Sequence, residues 1–395
     1  MFFFFFLQHI DFVGVFVIVL IDYLVCGGGF YWILHPIDYT INAFLSFVIN
    51  PMNDLIQKIG NLKISGSPNT LSQFKAKMVE KNDSIHIDLP FPIGFADDLT
   101  AQIAALTDKK VIFNQKIITH KVKNGITTHP EIKNVIAVAS GKGGVGKSTV
   151  TANLALALAN AGAKVGVLDA DLYGPSVPTM FGLSETRLTP QGEQFVPPVK
   201  HDIQLMSIGF LMEKNRSLVW RGALVNQALQ QMFFQTAWQG LDYLLIDLPP
   251  GTGDIQLTLT QKIPLTAAIV VSTPQEMALA DARRAVDMFA KTAIPVLGVV
   301  ENMSLYICPC CGEVAYLFGK NGGYQLTKQF NLPLLGQLPI NATICTAMDN
   351  GKPTQIDTQS AEILSQTAAQ IAFAIAQMGK DYSQSFAGLG VSVEK

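Results

Sequence analysis

From residue 134 onward, short apolar runs recur at 135–139, 165–168, 243–246, 267–271, 296–300 and 334–338. Helical patterns lie between several of them, notably at 149–160 and 278–291. Continuous apolar strands alternating with helices predict an α/β fold whose mostly parallel sheet is covered by helices on both faces. Ligands of such sheets bind beyond the carboxyl ends of the strands. Upstream, residues 52–130 read as a small α/β domain, with short helices at 53–59 and 97–106 and alternating strands at 84–89 and 115–122. No catalytic constellation falls there. The stretch 123–133, with Gly125 and Pro130, reads as a linker, and the polar end 380–395 as a fraying tail. The expected organisation is an extension at 1–51, a small domain at 52–130, a nucleotide-binding domain at 131–378 and a tail at 379–395.

Residues 1–51 are rich in Phe, Ile and Val. Their apolar run 12–21 lies between Asp11 and Asp22, Gly27, Gly28 and Gly29 interrupt soon after, and the first basic residue is Lys58. A spanning helix needs about 20 mainly apolar residues. Signal peptides and membrane orientation both depend on flanking Lys or Arg. Three readings are compatible with this: translated upstream sequence with the start at Met52, an unusual membrane anchor, or a loosely packed extension. A cytoplasmic protein is expected, with membrane association only if 1–51 is present and inserted.

Composition narrows the picture. The 395 residues leave room for two or three domains, and only 15% are charged, against a typical ~25%, so a large buried core is expected. A formal net charge of -2 argues against a broad basic surface, and no nucleic-acid partner is expected. Of five cysteines, Cys308, Cys310 and Cys311 crowd together while Cys26 and Cys345 lie far away. That clustering points to a metal or redox site rather than a disulfide framework.

The segment Gly141-Lys142-Gly143-Gly144-Val145-Gly146-Lys147-Ser148 fits the phosphate-loop pattern G-x-x-x-x-G-K-[ST], between a strand and a helix as the motif requires. Its glycines turn backbone N–H groups toward phosphate oxygens, and the helix N-terminus adds its positive dipole end. Lys147 should reach the β- and γ-phosphates of ATP, and the Ser148 hydroxyl should ligate Mg²⁺. Lys142 is a second lysine near the start of the loop. It resembles the mark of the deviant Walker A class, which includes MinD, ParA, the nitrogenase iron protein and the Mrp-type carriers. The resemblance implies that Lys142 reaches across a dimer interface to the partner's nucleotide.

Acidic residues end the neighbouring strands. Asp247 fits the Walker B position ahead of Pro249-Pro250-Gly251, and phosphoryl transfer needs a carboxylate there for Mg²⁺ or its waters. Asp169 and Asp171 lie just after the second strand. By resemblance to the same class, Asp171 lies in a switch segment that orients the attacking water, and Asn302, at the end of a later strand, reads the purine base.

Cys308 and Cys311 form a C-x-x-C pair whose thiolates can bind one metal together. Two ligands are half of what an iron–sulfur cluster or a structural zinc usually takes. A second copy of the chain across a two-fold axis would supply the others. Zinc shared between subunits, or a redox disulfide, remains open on spacing alone.

These motifs together resemble the Mrp/ApbC group of iron–sulfur carrier ATPases over roughly 52–378. The matching stretches are Ser140 through Thr149, Leu168 through Pro178, Trp238 through Asp254, and Glu301-Asn302-Met303-Ser304 followed by Cys308 through Gly312. The resemblance implies a homodimer that holds a [4Fe–4S] cluster between its Cys308 and Cys311 pairs. It further implies that the dimer passes the cluster to apoproteins, with ATP binding or hydrolysis tied to transfer. Cys310 departs from the family's usual residue, and residues 1–51 have no counterpart in it. The rival readings are a spatial regulator like MinD or ParA, and an ATP-driven electron donor like the nitrogenase iron protein.

Overall fold

The computed structural model describes residues 54–81, 83–120, 122, 126–171, 174–211 and 222–379. The expectations for residues 1–51 and 380–395 therefore lie outside the described residues. The described residues from Leu55 onward belong to one compact unit.

The unit opens with helix α1 (residues 54–60) and a small sheet of β1 (Lys77–Lys81), β2 (Ser84–Leu89) and β3 (Lys110–Gln115), with α2 (Asp97–Ala104) between the last two. The strand order is β1-β2-β3, antiparallel and then parallel. In β2 the period-two alternation sends Ile85, Ile87 and Leu89 into the core. The strand expected at 115–122 sits earlier in the chain, because Lys110–Gln115 pairs with all of β2. The stretch after it crosses to the large sheet instead, where the Ile118 carbonyl accepts from the Asn134 amide and His120 bonds the same side chain. The linker expected at 123–133 ends two residues sooner, since Ile132 already begins β4 and Lys133 pairs with Asp242 at 2.7 Å.

The large sheet holds β4 (Ile132–Ala139), β5 (Val165–Asp169), β6 (Val199–Lys200), β7 (Ile203–Ser207), β8 (Leu241–Asp247), β9 (Ala267–Ser272), β10 (Val296–Ile307), β11 (Val314–Ala315) and β12 (Leu334–Ile340). Among the described residues the order is β11-β10-β9-β4-β8-β5-β7-β6, with β12 also paired to β10. Only the short β6 and β11 run antiparallel to their neighbours. Both faces are apolar. Ile136, Val138, Val167, Leu245 and Ile269 fill one layer; Val135, Ala137, Leu168, Leu244 and Val270 fill the other. Strands buried on both sides therefore read as continuous apolar runs, as the sequence shows them.

Seven further helices come next among the described residues: α3 (Lys147–Asn160), α4 (Val177–Met180), α5 (Gly222–Phe234), α6 (Asp254–Lys262), α7 (Glu276–Lys291), α8 (Gly322–Phe330) and α9 (Ala342–Asp349), and then the long α10 (Thr358–Gln377). Helices α3 and α10 belong to the layer shared with the small sheet. There Phe373 of α10 meets Phe74, Phe91 and Phe95 at ring-centroid distances of 5.3, 5.0 and 6.3 Å, mostly edge to face. The small and large sheets thus share one core. No helix among the described residues is long and apolar enough to cross a membrane.

This packing can be tested at two positions. Phe373→Ala should leave a cavity between the sheets and cost about 3–5 kcal/mol, read as a lower urea midpoint. Asp357 caps α10, accepting from the Ser360 N–H and from the Thr343 hydroxyl at 2.9 and 2.7 Å. Burial opposes its ionisation, but these donors outweigh burial and hold the carboxyl down at about 2. The unfolded carboxyl titrates near ~3.9. The cap's contribution is therefore complete above that value and fades as pH falls toward 2. Asp357→Ala should cost about 1 kcal/mol at neutral pH and flatten the acid limb of a stability–pH curve.

Candidate functional site

β4 ends at Ala139, the chain loops through residues 140–146, and α3 starts at Lys147. The first turn of a helix has N–H groups without partners inside the helix, so this loop presents donors to an anion. Gly146 takes the left-handed φ of +81°, and a Cβ there would collide with the Asn302 amide. The left-handed φ is what calls for glycine, and a larger residue would also push the Asn302 amide aside. Asn302 donates from Nδ2 to the Val145 carbonyl at 2.9 Å. The residue expected to read a purine base thus touches the phosphate loop itself. Lys142, Gly143 and Gly144 are exposed, and Gly141, Ser148 and Thr149 are half-buried.

Beneath the loop lies a buried ion pair. Lys147 Nζ sits 2.6 Å from Asp247 Oδ1, with side-chain exposures of 6% and 0%, so little solvent screens the attraction. The Thr151 hydroxyl, one turn along α3, donates to the same oxygen at 3.0 Å. Asp247 Oδ2 is buried with no hydrogen-bond partner, and an orphaned acceptor of that kind is costly unless a cation or its waters complete it. The Ser148 hydroxyl lies 3.5 Å from Lys147 Nζ. A carboxylate oxygen without a donor and a hydroxyl, both in the surroundings of the same lysine, are oxygen donors of the kind Mg²⁺ prefers, so these residues fit that ion.

Asp169 is Asp247's neighbour across the β5–β8 ladder. Burial, and then the charge of Asp247, pushes its carboxyl up to about 7, against the pull of the Asp171 N–H, Lys147 and the Val177 N–H. Its oxygens accept from the Asp171 and Val177 N–H groups and from the Ser207 hydroxyl, at 3.1, 3.2 and 3.1 Å. Asp169 therefore anchors the segment after β5, while the half-buried Asp171 lies just past the strand end. The loop after β8 is tied in as well: Gly251 N–H donates to the Ser140 carbonyl at 3.0 Å, and Gln256 of α6 donates to the Pro249 carbonyl.

The cysteine pair stands on a different part of the fold. β10 runs on past Asn302 and joins β11 through the pairs Tyr306↔Ala315 and Ile307↔Val314. The tip is closed by Cys308 N–H to Glu313 O at 2.9 Å and Gly312 N–H to Cys308 O at 2.8 Å. Backbone N–H groups of Cys311 and Cys310, aided by the Cys311 thiol, point at the Cys308 sulfur and hold it below the ordinary thiol range. Such donors favour the thiolate, the form that ligates metal. Cys308 is half-buried, and Cys310 and Cys311 are exposed. Among the described residues no group of three or more His, Cys, Asp or Glu side chains gathers to hold a metal ion.

The structure thus brings Gly141 to Thr149 and Asp247, at the carboxyl ends of β4 and β8, together with Asn302 from the middle of β10, and puts Cys308 and Cys311 on the hairpin beyond. Sequence reasoning missed Thr151, whose signal was its position four residues after Lys147, and Ser207, which ends a strand that itself went unrecognised.

A family model described as ParA: NUBPL iron-transfer P-loop NTPase matches residues 131–376. The chain belongs to this family of P-loop NTPases. Its relatives include an iron-sulfur cluster carrier protein of Pseudomonas fragi, 52% identical over 65% of this chain and 90% of the relative. The iron-sulfur cluster carrier protein of Escherichia coli strain K12 is 46% identical over 71% of this chain and 79% of its own length. Among solved structures, a nucleotide-binding protein of Archaeoglobus fulgidus in complex with ADP is 41% identical, covering 59% of this chain and 93% of that one, with a TM-score of 0.53. This NTPase family is therefore the frame in which the buried pair acts.

Lys147→Ala should strand the Asp247 carboxylate in the core and destabilise the nucleotide-free protein by about 3–5 kcal/mol. The double variant Lys147→Met with Asp247→Asn should recover most of that loss in urea denaturation, while neither variant binds ATP.

Proposed function

We propose that this chain is an ATP-hydrolysing carrier of a [4Fe–4S] cluster, which it delivers to apoproteins as a homodimer. The observation that carries this reading is the closed turn of the C-x-x-C tip, held by Cys308 N–H to the Glu313 carbonyl and Gly312 N–H to the Cys308 carbonyl, in which Cys308 is also drawn below the ordinary thiol range. The tip follows directly on the strand whose Asn302 touches the phosphate loop. The names of the relatives from Pseudomonas fragi and Escherichia coli support the same cargo.

Each chain offers Cys308 and Cys311, and a two-fold axis would set two such pairs against one cluster. Lys142 is exposed at the start of the loop, which supports a reach across to the partner's nucleotide. The loop N–H groups from Gly141 to Thr149 and the Lys147 ammonium hold the phosphates. Asp171 orients the attacking water. Mg²⁺, held by Ser148 and, through its waters, by Asp247, would neutralise the charge that builds on the β- and γ-phosphate oxygens. As nucleotide arrives, Lys147 exchanges part of its pairing with Asp247 for phosphate oxygens. We place the activity in the cytoplasm, a reducing compartment in which exposed thiols persist.

Anaerobic reconstitution with iron and sulfide is the test. The loaded protein should be brown and should run as a dimer. Cys308→Ala and Cys311→Ala should each abolish cluster retention, while Cys310→Ala keeps it. A colourless protein with stoichiometric zinc, or a loaded monomer, overturns the reading. Lys142→Gln should lower ATP turnover by about 10²–10³-fold, the usual loss for one donor to a developing charge, with nucleotide affinity little changed.

A further inference from the structure

β10 carries both ends of the proposed machine, and between them it is irregular. Its pairing with β12 shifts once between Val299↔Leu334 and Val300↔Gly336, then breaks after Glu301↔Gln337 and resumes at Leu305↔Pro339. Residues 302–304 of β10 therefore face the single residue Leu338. The bulge is real backbone distortion, since Met303 takes a left-handed φ of +53°. Bulges redirect the strand beyond them and recur beside functional sites. Here Asn302, at the start of the bulge, bonds the Val145 carbonyl of the phosphate loop, and Cys308 lies six residues further on, just past the end of the strand.

One side chain holds the bulge. Glu301 is fully buried. Its Oε1 accepts from the Ser304 hydroxyl at 2.6 Å, inside the bulge, and from the Gln337 amide of β12 at 2.8 Å. Its Oε2 accepts from the Gly323 N–H in the first turn of α8. Gln337 also reaches the Ser304 hydroxyl at 3.1 Å, which closes the network. Burying a carboxylate is expensive and is tolerated only where fixed donors and, here, a helix N-terminus compensate. For a merely structural prop, an apolar side chain would cost less. A carboxylate with three donors from three elements gives the bulge a definite geometry that breaks discretely rather than bending.

A second line of contact leads back toward the nucleotide. The start of α8 packs closely on the Pro274 carbonyl and Leu279, at the turn into α7. α7 in turn presses its Asp281 and Ala282 backbone on Gly141, at the mouth of the phosphate loop. The Glu301 carboxylate thus sits where two contact paths from the loop meet, one through Asn302 and one through α7 and α8.

We propose that Glu301 is the positioning residue that couples nucleotide occupancy at the phosphate loop to the setting of the Cys308–Cys311 tip, with the 301–304 bulge as the element that switches. The inference rests on the proposed carrier function for what binds at each end, but its test needs no cluster.

The cluster-free full-length chain is alkylated with iodoacetamide, with and without Mg²⁺ and a non-hydrolysable ATP analogue, and the rates at Cys308 and Cys311 are read by peptide mass. In the parent protein, nucleotide should change those rates at least about fivefold, the lower end of ordinary coupling between sites. In Glu301→Gln, which replaces one acceptor oxygen with a donor, the ratio should fall to about one, while analogue affinity stays within about threefold by the same linkage logic. Ser304→Ala, losing one of the three donors, should give an intermediate ratio, and it carries the test should Glu301→Gln fail to fold. A merely structural role would lower stability and leave the ratio intact. The proposal is overturned by a parent ratio of one, or by an undiminished ratio in the folded variants. A chain that never takes up a cluster yet shows the nucleotide-dependent ratio sinks the carrier reading and leaves the coupling standing.

Discussion

The ion pair between Lys147 and Asp247 is the constraint around which the nucleotide end of the molecule is arranged. It joins the first residue of α3 to the last residue of β8 in a place where neither charge meets solvent. Such a pair holds only when the strand ends are level. β4 and β8 run in register up to Val138↔Asp247, and β5 meets β8 at Asp169↔Asp247. Three parallel strands therefore end on one line. On that line a lysine, two carboxylates and a glycine loop converge, although the loop and the two carboxylates lie far apart in sequence. Thr151 and Ser207 each bring a hydroxyl donor to one of the two crowded carboxylates, leaving Asp247 Oδ2 as the one buried acceptor of the pair without a donor.

The cores on either side of the sheet serve that alignment. Each strand sends alternate residues to opposite layers, so a slip of one residue would exchange the layers entirely. Phe373 adds a long-range tie, bringing the last described helix against phenylalanines of the segments that flank the small sheet's strands. The helix that carries the phosphate loop lies in that same layer, so its footing depends on side chains from both ends of the chain.

Much of this was readable from the residues alone. The strands at 135–139, 165–168, 243–246 and 267–271 appear almost as written, because a strand buried on both faces leaves an unbroken apolar run. The phosphate loop was equally plain, because its glycines and Lys147 are adjacent in sequence. Reading failed where partners are distant. β7 was missed because Gln204 and Ser207 interrupt its apolar run. The strand expected at 115–122 was misplaced because a bond between Asn134 and the Ile118 carbonyl, from another sheet, decides where the chain goes. The role of Glu301 was invisible for the same reason. Its donors come from residues 304, 323 and 337, and no local pattern announces them.

The cysteine hairpin has a mechanical consequence. Its ladder consists of two residue pairs, Tyr306↔Ala315 and Ile307↔Val314, set at the rim of a sheet whose interior strands are paired on both sides. Opening two rungs requires far less free energy than disturbing the body. The tip is thus a hinged flap on a rigid handle: it can open and close many times while the rest of the molecule stays folded.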